Sequence, residues 1–413
     1  MEHCVSDHKQ NIHIRDWRWI LVLVVVSYAT LIAAAGVLGG KGAARCLLQV
    51  MGVPALEHPF MDIRGVAGWC EASARGQNPA IEATYITFPG EKPVRDFKMN
   101  YSPLVLSLGY LGLDQMHIGV WALFLGLLYT ASLWFLSGPL TLTQAGVWAL
   151  LILSPASVLV VERGNLDILL FALIVIALIL RKHPFAESNA ILTAGLIKFF
   201  PIGALSAVWR EGGKRNRAAV MLGAILFLAF LILLRSRLGI IGGSLTGQYQ
   251  SSFGSGVMAD LFRHYGIIGE GKYDSIRRAL TVLGIALLSL ACSFGFLNWK
   301  MREQGALSGR MQHAFFLTGP FMLGLFVLGN QMDYKWIFFL PMVPAIFELI
   351  ESSDAVDAQI SKIWMGGILV YSYWTFFSDE RSLRNALLKQ VVMWGVMIVT
   401  AFLAGRLWKR EVQ

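Results

Sequence analysis

Side chains able to bind ions or move protons are concentrated in one short polar segment, residues 162–167, between two apolar runs. Glu162, Arg163, Asn165 and Asp167 lie in it around a single glycine. Carboxylates can accept protons, and an arginine can bind an anion. A charge at the centre of a membrane helix costs roughly 2.5–3.5 kcal/mol. These residues are therefore expected at a membrane surface or in a water-filled cavity.

The composition is that of a membrane protein. Of 413 residues, 56% are hydrophobic and 15% are charged, and the mean hydropathy is +0.59. This is too apolar for a soluble chain of this size. The net charge of +9 comes from short basic clusters beside apolar runs, and no basic patch interleaved with aromatics indicates a nucleic-acid partner. The first apolar run is too long for a secretory signal, so we expect an uncleaved span and a cytoplasmic N-terminus.

Ten apolar windows are long enough to cross a bilayer, which takes about 20 residues of helix. We therefore predict an all-α polytopic membrane protein, organised as a single integral membrane domain over residues 1–413. The predicted spans are 17–39, 116–137, 141–161, 166–181, 218–239, 277–298, 311–329, 335–350, 360–377 and 388–407.

An eleventh apolar run, residues 190–209, conflicts with the charge pattern. Basic clusters at 181–183 and 210–217 flank it, and basic loops favour the cytoplasm. A full crossing would separate the two clusters, whereas a re-entrant or broken element bent at 198–201 keeps both inside. Proline in that bend interrupts a helix, and irregular backbone at membrane depth must line protein or a wet cavity. A kinked full span is the alternative.

This topology places two long loops, residues 40–115 and 241–276, outside the cytoplasm, and both termini inside. Because the cytoplasmic loops are short, the working face is expected outside. Apolar residues at helical spacing over 62–75 predict a helix lying in the membrane interface and ending near Gly76. Residues 257–265 predict a second interfacial helix.

The motifs that are missing restrict the chemistry. Cys4, Cys46, Cys70 and Cys292 have no metal-binding spacing, and no metal site is predicted. Cys46 and Cys70 share the first outer loop, where they either pair or remain free thiols. The sequence has no Walker A motif, dinucleotide fingerprint, HExxH or serine nucleophile elbow. A substrate embedded in lipid therefore fits an outer active face better than a soluble nucleotide.

The candidate residues also have structural interpretations. Asp62 lies at the start of its predicted helix, where a carboxylate is favoured, and this role competes with catalysis. Asn165 is a good helix cap and Asp167 a good first-turn acid. Lys198 either meets a buried anion at the predicted bend or extends along its helix to a lipid headgroup.

Five short motifs occur in an order that resembles a known enzyme family. They are PFMDIRGV, ARGQNP, NYSPL, ERGNLDILLFALIVIAL and ILTAGLIKFFPIGAL, over about residues 59–217, with a weaker echo at GNQMDYKWIFFLP. In this order they resemble the polyprenol-phosphate-dependent glycosyltransferases of glycosyltransferase family 87, within the GT-C class of multipass enzymes. Family members more often have Gly-Gln at Arg163-Gly164, and proline at Ser102 and at Phe199. These differences leave the sugar and the acceptor open.

The resemblance implies a GT-C-like helix bundle and an inverting glycosyl transfer. The donor would be a polyprenyl-phosphate sugar, carrying mannose or a related hexose or pentose, and the acceptor a lipid or cell-envelope glycan. The reaction would take place on the extracytoplasmic face of the bacterial inner membrane. No cofactor is implied, because the lipid-linked donor is a substrate; a divalent metal requirement stays open.

The resemblance also assigns roles to residues of this sequence. Asp62 matches the general base that removes the acceptor's proton. Cations are expected around the leaving phosphate, because they stabilise its developing charge; the candidates are Lys198, Arg163, Lys335, Arg263 and His264. The expected contacts to the sugar or the acceptor are Asn165, Asp167, Asn100, Tyr101 and Asp333.

Two other classes of membrane protein compete with the enzyme. A transporter or flippase of polyprenyl-linked glycans usually has paired broken helices near the middle of the membrane. The sequence indicates one broken element, at 190–209, and no matching partner in its second half, which favours the enzyme. A non-catalytic assembly subunit would have no need of an acid in the first outer loop.

Overall fold

The computed structural model is almost entirely helical in the part of the chain that it describes. The described residues are 16–38, 42–54, 58–82, 84–86, 94–95, 99, 101–235, 252–297, 309–328, 331–352, 354–377 and 382–408. Two short antiparallel ribbons are the strands found there, β1 (Tyr85–Ile86) with β2 (Val94–Arg95), and β3 (Ser252–Phe253) with β4 (Gln331–Met332). The all-α prediction is confirmed.

The helices, numbered here in chain order over the described residues, are joined by three 3₁₀ helices. The α-helices are α1 (Trp19–Leu38), α2 (Ala43–Val50), α3 (Met61–Ala74), α4 (Ile118–Ser137), α5 (Leu142–Leu153), α6 (Pro155–Glu162), α7 (Asp167–Ile179), α8 (Pro184–Ile197), α9 (Leu205–Arg210), α10 (Gly213–Leu233), α11 (Val257–His264), α12 (Glu270–Leu297), α13 (Gly309–Leu328), α14 (Val343–Ile350), α15 (Ala355–Ser372), α16 (Trp374–Phe377) and α17 (Leu383–Trp408). The 3₁₀ helices are Pro103–Leu111, Phe200–Ala204 and Asp333–Met342.

Several helices have the length and apolar character of membrane spans. Four of those described qualify, namely α4, α10, α12 and α17, and a fifth crossing results if the bent pair α5 and α6 counts as one. The first part of α1 and the whole of α7 are apolar but shorter. α10 is the least buried of the four, which is expected of a helix that faces lipid. The chain is thus a helical membrane protein.

Proline divides several of the predicted spans. The window 141–161 is split into α5 and α6, which meet at 54°. Pro155 opens α6 at its first position, and the Ser154 hydroxyl accepts the N–H of Ser157. The window 335–350 is likewise divided, because the 3₁₀ helix Asp333–Met342 precedes α14.

The segment from α8 to α9 doubles back on itself. α8 ends at Ile197, Lys198 is extended, and the 3₁₀ helix Phe200–Ala204 leads into α9. A Cβ added to Gly195 would lie 3.3 Å from the Ile202 side chain, so the two legs are in close contact near the bend. Farther from the bend, both legs reach one side chain through Glu187 and Glu211. We call residues 184–211 the hairpin.

Aromatic packing places the bend of the hairpin in the protein core. The Phe200 ring lies 5.8 Å from Phe321 of α13 and 5.5 Å from Phe338. Phe338 in turn packs against Phe171 of α7, with ring centroids 6.5 Å apart. The bend thus packs against α13 and the 3₁₀ helix Asp333–Met342, while residues 196–200 are partly exposed, as fits irregular backbone that lines protein or a wet cavity.

The helix predicted at residues 62–75 occurs as α3 and is followed by Gly76 at a φ of 78°. It is buried more deeply than a helix lying on lipid would be. Small residues allow this, since a Cβ added to Gly68 would lie only 2.9 Å from the Tyr85 carbonyl oxygen. The second predicted interfacial helix occurs as α11, which packs through Val257 and Leu261 against α17. Cys46 and Cys70 are free thiols, one exposed and the other buried.

The hairpin predicts the labelling pattern of the loops at its two ends. In a variant without native cysteines, Lys182→Cys and Lys214→Cys should react with a membrane-impermeant maleimide from the same side. The reason is that the first and last residues of the hairpin lie close together. Both lysines are exposed. Met116→Cys, at an exposed position before α4, is the control, because the topology predicted from the sequence places it at the opposite face. Labelling of positions 182 and 214 from opposite sides would contradict the hairpin.

Candidate functional site

The end of α6 holds the start of α3, and this contact places Asp62. The N–H of Phe60 donates to the Glu162 carbonyl at 2.7 Å, and the N–H of Asp62 donates to the Arg163 carbonyl at 3.0 Å. The first N–H groups and the last carbonyls of a helix have no partner inside that helix. The two helix ends therefore satisfy each other, and the backbone of Asp62 is fixed against the polar segment 162–167.

Gly164 permits this close approach. Its φ of 58° is in the left-handed region, which L side chains rarely adopt. A Cβ added there would also lie 2.8 Å from Cγ2 of Ile63, the residue after Asp62. Glycine is thus required at this position both by the backbone conformation and by the contact with α3.

Asn165 connects the Asp62 carboxylate to α7. Its side-chain nitrogen donates to Oδ2 of Asp62 at 2.5 Å, and its Oδ1 accepts the N–H of Asp167 at 2.8 Å. Asn165 is completely buried. The structural role considered from the sequence is therefore present, since Asn165 binds the first turn of α7, but the same side chain also orients Asp62.

Asp167 joins this network to the hairpin. Lys198 Nζ lies 2.6 Å from Oδ1 of Asp167, whose side chain is completely buried. The same ammonium lies 4.2 Å from the centre of the Tyr101 ring, a cation–π distance. The Lys198 side chain therefore points to a buried anion, and does not extend along the helix to a headgroup.

Two further cations lie close to this network. Arg163 Nε is 3.4 Å from Glu162 Oε2, and the arginine also donates to the Pro54 carbonyl at 3.4 Å. Lys335 Nζ lies 5.2 Å from the Phe200 ring, close enough to Lys198 and Asp167 for their charges to interact. We call Asp62, Tyr101, Glu162, Arg163, Asn165, Asp167, Lys198 and Lys335 the polar cluster.

Opposing effects act on the Asp62 carboxyl group. Burial raises its pKa, because a charge is poorly solvated there, while the charge of Arg163 and the hydrogen bond from Asn165 act in the opposite direction. The net pKa is raised above its usual value of 3.8. Asp62 is therefore a stronger proton acceptor, once ionised, than an ordinary aspartate.

Other predicted site residues lie in different surroundings. Arg263 pairs with Glu270 at 2.7 Å, and His264 packs against Tyr265, with ring centroids 5.0 Å apart. None of these contacts involves the polar cluster. Asn100 lies outside the described residues, and so does the side chain of Asp333, whose backbone begins a 3₁₀ helix.

One acid of the polar cluster had been given no role from the sequence. Glu162 is 3% exposed, and neither of its carboxylate oxygens has a hydrogen-bond partner among the described residues. Its position among the charges of the segment 162–167 was the available signal. Glu162 ends α6, where the backbone meets the start of α3, and a linear sequence does not reveal this contact.

A second broken element corrects the expectation that the second half has none. Lys335 lies in the 3₁₀ helix Asp333–Met342, whose sequence KWIFFLP echoes the KFFP at the bend of the hairpin. Both segments pack against α13 and bring a lysine to the polar cluster. The long apolar run around residues 335–350 concealed this break. With a broken segment in each half of the chain, the broken helices do not distinguish an enzyme from a transporter.

The fold and the site together define an all-helical membrane protein with a buried cluster of carboxylates and cations between broken helices. Within the described residues, no group of three or more His, Cys, Asp or Glu side chains is arranged to hold a metal ion. No protein-family model, no curated protein and no solved structure matches the chain.

The close contact at Gly164 predicts the effect of adding one methyl group. Gly164→Ala should lower the free energy of unfolding by about 1–2 kcal/mol from the left-handed backbone alone, and more from the collision with Ile63. Thermal unfolding in detergent measures this loss. Gly146→Ala is the matched control, because a Cβ at Gly146 of α5 meets nothing within 4 Å. Equal stability of the two variants would contradict the proposed packing.

Proposed function

We propose that this protein is a membrane glycosyltransferase that moves a sugar from a polyprenyl-phosphate donor to a lipid or cell-envelope glycan acceptor. The observation that carries the proposal is the hydrogen-bonded path from Asp62 through Asn165 and Asp167 to Lys198. It joins a carboxylate suited to proton removal to a cation suited to a leaving phosphate. The motifs that resemble the polyprenol-phosphate-dependent family supply these residues.

The chemistry would be a single inverting displacement. Asp62 removes the proton from an acceptor hydroxyl, whose oxygen attacks the anomeric carbon of the sugar. The bond between that carbon and the donor phosphate oxygen breaks, and polyprenyl phosphate leaves with the bonding electrons. The proton rests on Asp62 until solvent takes it. Interactions with charge that develops in the transition state usually provide the largest catalytic contribution.

The charges of the polar cluster support these roles. Lys198, Lys335 and Arg163 are cations available to a phosphate, and Asp167 balances Lys198 in the absence of substrate. A phosphate entering beside Lys198 would share its ammonium with Asp167. Tyr101, against whose ring Lys198 lies, would form a wall of the sugar site.

The membrane arrangement belongs to the same proposal. About ten crossings, arranged as in the GT-C class, would add the shorter and broken helices to the four or five qualifying spans. The hairpin would enter and leave on the cytoplasmic face, because basic clusters flank both of its ends. Asp62 would then face the outside of a bacterial inner membrane, with both termini in the cytoplasm.

A transporter of polyprenyl-linked glycans is the second candidate, supported by the two broken segments with a lysine each. Discontinuous helices that meet around a charged site are typical of transporters. Purified protein in liposomes separates the two functions. The enzyme forms a new glycosidic bond, whereas a transporter moves the labelled lipid to the other leaflet without changing it.

Replacement of the proposed base should abolish transfer. Membranes with Asp62→Asn should transfer sugar from a labelled polyprenyl-phosphate donor about 10²- to 10⁴-fold more slowly, the usual contribution of a general base. Asp114→Asn is the matched control, since Asp114 lies in the same loop but is partly exposed and accepts the N–H of His117. Unchanged transfer by a correctly inserted Asp62→Asn variant would contradict the assignment of Asp62 as the general base.

The pH dependence of transfer should report the Asp62 carboxyl group. Only the ionised form accepts a proton, so kcat/KM should fall as the pH drops through the raised pKa of Asp62. Asn165→Leu removes a donor that stabilises the charged form, which raises this pKa further and moves the acidic limb to higher pH. Asn189→Leu, at an exposed site on α8, should leave the limb in place. A limb that is identical in all three proteins would contradict this role of Asn165.

A further inference from the structure

The base of the hairpin contains a buried imidazole between two carboxylates. His313 of α13 is completely buried; its Nε2 lies 2.5 Å from Glu187 Oε1 and its Nδ1 lies 2.7 Å from Glu211 Oε1. Glu187 belongs to the first turn of α8, and Glu211 directly follows α9. One ring therefore contacts the beginning and the end of the hairpin.

These three groups must share protons. Ionised carboxylates only accept hydrogen bonds, so either both ring nitrogens carry protons or one of the glutamates does. In each form, removal of one partner leaves a charge or a polar group buried without compensation, which is strongly unfavourable. Apolar side chains of similar size would fill the same space without the cost of burying charged or unpaired polar groups. The three groups therefore hold Glu187 and Glu211 in one arrangement around His313, which apolar packing alone would not specify.

The hairpin connects these groups to the polar cluster. Lys198 follows Glu187 by 11 residues along α8, so it lies about 16 Å from the base of the hairpin. α8 packs against α7, which carries Asp167, while the returning leg packs against α13. A Cβ added to Gly203 would lie 2.7 Å from the Phe321 Cβ, so that leg has little freedom to slide.

We propose that Glu187, Glu211 and His313 form a clamp that holds the two legs of the hairpin together and thereby sets the position of Lys198 against Asp167. The clamp residues are positioning residues, since they lie a helix length away from the polar cluster. An α-helix transmits a shift at one end to the other, because it is stiff over this distance. The catalytic consequence of the clamp rests on the proposed function, whereas its effect on the hairpin does not.

The clamp is tested by measuring the separation of the two legs. Spin labels on Lys182→Cys and Lys214→Cys, in a variant without native cysteines, report this separation by double electron–electron resonance. A single narrow distance distribution is expected with the intact clamp. His313→Phe keeps a ring but loses both hydrogen bonds, and should give a broader or longer distribution. Glu211→Gln is the milder variant. If His313→Phe does not insert into the membrane, the distance distribution of Glu211→Gln tests the clamp.

The matched control applies the same substitution to another histidine. His117 is exposed and contacts Asp114 at the start of α4, so His117→Phe should leave the distance distribution unchanged. An unchanged distribution in both His313→Phe and Glu211→Gln would overturn the clamp. A change that His117→Phe also causes would overturn it as well.

Transfer kinetics provide a readout that general instability would not reproduce. Glu211→Gln should raise the KM for the polyprenyl-phosphate donor roughly 2- to 30-fold, the range for mutations that act on a site through connected side chains. The acidic limb of the pH profile, which belongs to Asp62, should stay in place. If the wild-type protein transfers no sugar, the proposed function fails while the label distances still decide the clamp. An altered acidic limb with an unchanged KM would contradict the positioning role.

Discussion

The ion pair between Asp167 and Lys198 is the interaction on which the rest of the site depends. Both charges are taken out of water, and the carboxylate is completely buried at 2.6 Å from the ammonium. Desolvation of such a pair costs several kcal/mol per ion, which only good geometry offsets. That geometry comes from two directions: Asn165 holds Asp167 at the start of α7, and the bend of the hairpin presents Lys198. Both positions are needed, because the ion pair forms only when Asp167 and Lys198 are held next to each other.

Backbone contacts give this pair its neighbours. The carbonyls at the end of α6 accept the first N–H groups of α3, so the polar segment 162–167 and α3 meet through direct backbone hydrogen bonds. Asp62 is carried to the ion pair by this contact. The 3₁₀ helix around Lys335 completes the cluster from the other side, against the aromatic rings of Phe200 and Phe338. Charges from four distant parts of the chain thereby share one largely buried region.

The features that could be predicted are those marked in the sequence itself, by proline or glycine, by apolar periodicity or by clusters of basic residues. The break near Lys198 follows from Pro201 and from basic clusters that a full crossing would separate, and α3 follows from its periodicity and from Gly76. Features that depend on distant partners were missed. His313 follows Arg310 and Gln312 at the polar start of an apolar helix, and Glu187 and Glu211 resemble ordinary acids near loops until the fold brings them together. The break before α14 gave no sequence signal, because the residues around it are apolar. Arg263, predicted to bind phosphate, forms an ion pair with Glu270, seven residues later in the chain.

The position of His313 in the chain has a consequence for biogenesis. The two glutamates that it bridges leave the ribosome about a hundred residues earlier, since Glu187 and Glu211 precede it with α10, α11 and α12 still to come. During that interval their carboxylates cannot contact His313, and burying them in the membrane is unfavourable. The hairpin can therefore be completed only when α13 is inserted beside it. The hairpin therefore takes its final form late in membrane assembly, although its sequence is complete by about the midpoint of synthesis.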